Sequence, residues 1–86
     1  NENSTVEILA TPNPSSGRVT INLKNWDERK INLNVYDMLG KNVLFTNISA
    51  NKTDLDLSFL SNGAYVISLG YRCGSLNSFK LLINKL

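Results

Sequence analysis

The fold class this sequence predicts is all-β, with antiparallel sheets packed face to face, and three observations predict it. Apolar residues recur at every second position through most of the chain, the interruptions carry turn-forming residues, and no segment sustains a helical repeat. Alternation by two sends one face of a strand into a core and leaves the other wet, as in antiparallel sheets.

The elements follow in order. Val6, Ile8 and Ala10 alternate with Glu7 and Leu9. The stretch TPNPSSG, Thr11 to Gly17, then holds both prolines of the chain. Each proline fixes φ, removes an amide donor and turns the preceding residue away from helix, so a tight corner is expected. Val19, Ile21 and Leu23 alternate with Thr20, Asn22 and Lys24, and NWDERK, Asn25 to Lys30, makes a polar connection. Ile31, Leu33 and Val35 are set against Asn32, Asn34 and Tyr36, after which MLGK places Gly40 where a hairpin wants positive φ. Val43 and Phe45 mark the inward positions of a fourth strand. Leu55 and Leu57 against Asp54, Asp56 and Ser58 mark a fifth, with room for one short helical turn in DLSFLS. SNG, Ser61 to Gly63, is a turn signal; Tyr65, Ile67, Leu69 and Tyr71 follow it. RCGSLN around Gly74 is the last reversal, and Phe79, Leu81 and Ile83 close the series.

Seven short strands at this spacing predict an immunoglobulin-like antiparallel β-sandwich. Cys73 is the only cysteine, so the disulfide of antibody domains is missing and the compartment stays open.

The chain has 86 residues, which argues for one domain: residues 1–5 read as the end of a flexible linker and 6–86 as the folded unit. The chain begins at Asn1 rather than Met, as a piece of a longer protein would. A hydrophobic fraction of 42% supports a single core. A net charge of +2 does not point to nucleic acid, and no apolar run is long enough for membrane insertion.

Catalytic chemistry finds little to work with. There is no histidine, hence no Ser–His–Asp triad, Cys–His pair or histidine metal site. Cys73 has the cation Arg72 beside it but no base to complete a nucleophilic site. Asp54 and Asp56 share a strand face, isolated from other acids, and read as a solvated surface. The glycines match neither phosphate-binding fingerprint. The expectation is a non-enzyme without cofactor or metal. Trp26, in a polar loop, offers either an exposed stacking surface or a lid over one end of the sandwich, and Tyr36 falls on the polar face of its strand.

Three patterns occur in order: PNPSSGRVTI near the start, VYDMLGKNV in the middle, and LSNGAYVISL followed by KLLINKL at the end. Together they resemble the C-terminal sorting domain of the type IX secretion system of Bacteroidetes, from about Ile8 to Leu86. The resemblance implies transport. A passenger N-terminal to the domain folds in the periplasm, and the domain directs it to an outer-membrane translocon and its shuttle components. In many members a surface signal peptidase then removes the domain, leaving the passenger at the cell surface or secreted. Residue by residue, the proline–glycine element maps onto Pro12, Asn13, Pro14 and Gly17, and the YDxxG element onto Tyr36, Asp37 and Gly40. The LxxGxY element maps onto Leu60, Gly63 and Tyr65, and the basic tail onto Lys80 and Lys85. Leu86 departs from the many members that end on or near a basic residue.

Each element also has a structural reading. Asp37 can accept turn amides before Gly40, and Tyr65 can point inward and cap the core with its hydroxyl. Lys85 is expected to run off the core face into solvent, and the last strand, if at a sheet edge, to offer unpaired backbone to a partner's sheet. The rival readings are an accessory binding module that touches carbohydrate or protein through Trp26 and Tyr36, and a structural spacer.

Overall fold

The computed structural model describes residues 6–13, 15–72 and 74–85. They form seven strands: β1 (Glu7–Thr11), β2 (Arg18–Lys24), β3 (Ile31–Tyr36), β4 (Asn42–Ile48), β5 (Lys52–Asp56), β6 (Gly63–Tyr71) and β7 (Gly74–Ile83). One sheet has the order β1-β2-β5 and the other β4-β3-β6-β7, with every strand pair antiparallel. This arrangement is all-β as expected and is consistent with an immunoglobulin-like sandwich.

The core is the alternation made physical. Val19, Ile21 and Leu23 of β2, with Leu55 and Leu57, face Ile31, Leu33 and Val35 of β3, Tyr65, Ile67 and Leu69 of β6, and Leu81 and Ile83 of β7, all buried. Burying one such side chain contributes about 1.5–3 kcal/mol, so these two inner faces dominate the stability.

Two strands depart from simple alternation. The register of β3 against β4 shifts after Val35: Val35 lies opposite Leu44 and Tyr36 opposite Asn42, leaving Val43 as the extra residue. A bulge of one residue reverses the parity of everything beyond it. Phe45, expected inside, therefore lies opposite Asn34 and is 55% exposed, while Leu44 takes a half-buried place against the core. A second shift after Leu69 places Asn77 opposite Leu69 and Ser75 opposite Gly70, so β7 starts at Gly74 and is longer than its apolar run. The DLSFLS segment makes a single turn, closed by Leu60 N–H donating to the Leu57 carbonyl at 3.0 Å.

Residues 1–5, Pro14, Cys73 and Leu86 carry sequence readings that lie outside the described residues.

Candidate functional site: one pole of the sandwich

The antiparallel topology divides the connections between two ends. At one end meet the β1–β2 corner (12–17), the β3–β4 hairpin (37–41), the β5–β6 turn (57–62) and the tail after β7. At the other lie the β2–β3 loop (25–30), the β4–β5 connection (49–51) and the β6–β7 turn. The described residues onto which the resemblance maps its motifs all fall on the first pole or on the strand ends that feed it. These residues are far apart in sequence, and the fold brings them together.

The 12–17 corner is bound to the last strand. The Asn13 carboxamide donates from Nδ2 to the Lys80 carbonyl (2.9 Å) and accepts at Oδ1 from the Leu82 N–H (3.1 Å), imitating a peptide unit of a neighbouring strand. Ser15 continues the pairing as a parallel bridge to Ile83: its N–H donates to the Leu82 carbonyl and its carbonyl accepts from Asn84 N–H, both at 2.8 Å. The Ser15 side chain is buried, its hydroxyl donating to the Arg18 carbonyl (2.8 Å) and accepting from Gly17 N–H (2.9 Å). Thr11 and Pro12 are joined by a cis peptide bond. Gly17 sits at φ +126°, and a Cβ there would stand 3.1 Å from the Ser58 Cα. Its carbonyl accepts Leu57 N–H at 2.6 Å, fixing the corner to the β5–β6 turn.

β7 is indeed a sheet edge, but its C-terminal half is already partnered by Asn13 and Ser15. The expectation of a last strand with open backbone is corrected to that extent. Further up the strand, Asn77 Oδ1 accepts Ser78 N–H at 2.9 Å, another protected edge amide.

The hairpin is a three-residue loop. Asp37 N–H donates to the Lys41 carbonyl (2.9 Å), Gly40 N–H donates to the Asp37 carbonyl (3.0 Å), and Gly40 adopts φ +84°. A type I turn followed by a left-handed residue is a common three-residue hairpin, and glycine takes that conformation without a steric penalty. Asp37 Oδ1 accepts the N–H groups of Leu39 and Lys41, both at 2.9 Å, as its sequence position predicts.

The β5–β6 turn and the tail close the pole. Tyr65 is buried and its hydroxyl donates to the Ser61 carbonyl at 2.8 Å; Leu60 is also buried, and Gly63 opens β6. Lys85 does not project into solvent. Its ammonium donates to the Ser58 carbonyl (2.6 Å) and to the Leu60 carbonyl, capping turn acceptors that the strands leave unpaired. Asn62 holds the same residue by its backbone, accepting Lys85 N–H at 2.9 Å and donating to its carbonyl at 3.4 Å. Lys80 behaves differently. It is exposed on the outer face, in a cross-strand row with Val66 and Tyr36.

The acids at this end are partnered. Asp56 is held below its ordinary pKa, first by the Ser58 hydroxyl (2.6 Å) and the Ser58 N–H, then by Arg18 at 3.8 Å and by Lys85. Asp54 accepts the Thr20 hydroxyl at 2.8 Å. Ser15, Ser58 and Asn62 escaped sequence reading. Each is a small polar residue in a turn, and its long-range partner leaves no periodic signal.

At the far pole Trp26 takes the lid role. Its indole N–H donates to the Arg29 carbonyl (2.9 Å), its ring packs on the core, and Arg29 lies 4.0 Å over the Tyr71 ring. A cleft of about 520 Å³ lies between Trp26, Glu28, Lys30, the end of β4 and the 49–51 connection. Among the described residues no cluster of His, Cys, Asp and Glu is arranged to hold a metal ion.

Fold and pole together define a small β-sandwich module with the corner, the hairpin, the β5–β6 turn and the tail gathered at one end. The comparison with known families makes the assignment specific: residues 10–84 match the family described as the secretion system C-terminal sorting domain, and the chain belongs to that family. It is a C-terminal sorting signal for type IX secretion that serves export to the cell surface or the medium. Its role involves the secretion machinery and a passenger N-terminal to it. No curated protein matches the chain.

Proposed function

We propose that the pole assembled from the 12–17 corner, the 37–41 hairpin, the 57–62 turn and the end of β7 is the surface that the type IX machinery reads. The passenger folds in the periplasm, and this pole engages the outer-membrane translocon or a shuttle component. A surface signal peptidase then cuts N-terminal to β1. The observation that supports this reading is the convergence of Asn13, Gly17, Tyr36, Asp37, Gly40, Leu60, Gly63, Tyr65, Lys80 and Lys85 at one end of the sandwich. Their roles divide by what each residue does. Asn13, Gly17, Asp37, Gly40, Leu60, Tyr65 and Lys85 build the pole, while Tyr36 and Lys80 lie on the outer face where a partner can touch them.

The test uses the protein with its passenger attached. Tyr36→Ser with Lys80→Ala alters the outer row, and Glu28→Ala with Lys30→Ala alters the far pole. The expected result is periplasmic accumulation for the first pair alone, with thermal unfolding showing that both pairs remain folded at the growth temperature. Equal delivery of the two pairs to the surface would overturn the proposal.

A further inference from the structure

The pole carries large apolar side chains that serve no packing purpose. Leu39 is 94% exposed and Met38 56% exposed at the tip of the β3–β4 hairpin, and Phe59 is 62% exposed in the β5–β6 turn at the same end. Turns ordinarily take polar residues there, and nothing in this one demands otherwise, since its geometry rests on Asp37 and Gly40. The tip is also held by its own hydrogen bonds. The Asp37–Lys41 and Gly40–Asp37 backbone bonds and the two amides on Asp37 Oδ1 all lie within five residues. A turn whose backbone is already fixed loses little further backbone freedom when it docks, which favours the side chains it carries as anchors.

We propose that Met38 and Leu39 are anchors that enter an apolar pocket, bordered by carboxylates, on a protein of the export machinery. This rests on the reading of the pole as the recognised surface and specifies its partner. The charge around the tip gives the border. Asp37 is engaged by turn amides and Asp56 by Ser58 and Arg18, whereas the exposed Lys41 and Lys80 have no ion pair among the described residues. Asp37 and Asp56 keep their charge, but Arg18, Lys41, Lys80 and Lys85 outnumber them at this end, so its net charge is positive and a complementary surface carries acids. A lipid surface fits less well. Two side chains on a turn bury far less area than a membrane-binding amphipathic face.

The experiment compares the passenger-bearing protein with its Met38→Ser/Leu39→Ser double variant, in which Asp37 and Gly40 are kept, and with Lys41→Glu. Thermal unfolding of all three is expected to coincide, because the altered side chains are exposed. Surface delivery is expected to fall about tenfold or more in the double variant, and by less in Lys41→Glu. Vesicles of phosphatidylethanolamine and phosphatidylglycerol are expected to bind neither the wild type nor the variants. Undiminished delivery of the double variant beside an exported wild type would overturn this inference and leave the sorting pole standing. Leu39-dependent sedimentation with vesicles would replace the protein partner by a membrane. A wild type that stays in the periplasm would remove the underlying reading itself.

Discussion

Asn13 and Leu82, 69 positions apart, are joined by a hydrogen bond in which the side-chain oxygen of the first accepts the backbone N–H of the second at 3.1 Å. The same carboxamide donates to the Lys80 carbonyl, so one side chain stands in for a strand. Asn13→Ala is expected to destabilise the domain by about 1–2 kcal/mol, the scale of two hydrogen bonds at a partly solvated edge. Amide exchange at Leu82 should quicken more than at Leu69, which is paired inside the sheet. Unchanged protection at Leu82 would refute the role given to Asn13.

Two glycines differ in what they avoid. At Gly40 a side chain meets nothing within 4 Å, and only its φ of +84° resists substitution. At Gly17 the φ of +126° is joined by an approach of 3.1 Å to backbone at Ser58. Gly40→Ala should cost about 1 kcal/mol and Gly17→Ala about 2 or more. Chemical denaturation of the two variants checks the order, and the reverse ranking would contradict the account.

Lys80 and Lys85 are predicted to separate on substitution. Lys85→Ala removes the donor that caps the Ser58 and Leu60 carbonyls and should lower stability by about 1–2 kcal/mol. Lys80→Ala removes an exposed ammonium and should stay within about 0.5 kcal/mol of wild type. An export defect in Lys85→Ala must therefore be read beside its unfolding midpoint, while one in Lys80→Ala reports on recognition.

Acid should weaken the domain through Asp56. Hydrogen bonds from Ser58, with Arg18 and Lys85 nearby, lower its pKa from the ordinary 3.8. A carboxylate lowered on folding contributes stability fully present above the unfolded value, and loses it as pH falls through the folded one. Between about pH 5 and about pH 2 the wild type should lose more stability than Asp56→Asn. The difference is modest because the group is exposed and screened by solvent. Thermal unfolding across that range measures it, and parallel curves would exclude the contribution.

Much of this protein was readable from its residues alone, because a period of two is a local property. β2, β3 and β6 lie where Val19–Leu23, Ile31–Val35 and Tyr65–Leu69 alternate, and their apolar members fill the core. Turn chemistry was equally local: Asp37 and Gly40 sit four residues or fewer from the groups they serve. The ordered motifs pointed to the family that the match over residues 10–84 establishes.

What remained hidden depended on partners distant along the chain. No pattern in VLFTNI announces the bulge at Val43, since it arises in the pairing with β3; that one residue turned Phe45 outward. Nor does KLLINKL reveal that Asn13 and Ser15 cover its edge, or that Lys85 folds back onto the β5–β6 turn. Local propensity places strands and turns through neighbours in sequence. Edge protection, terminal capping and the gathering of motifs at one pole come from hydrogen bonds that exist only after two sheets have stacked.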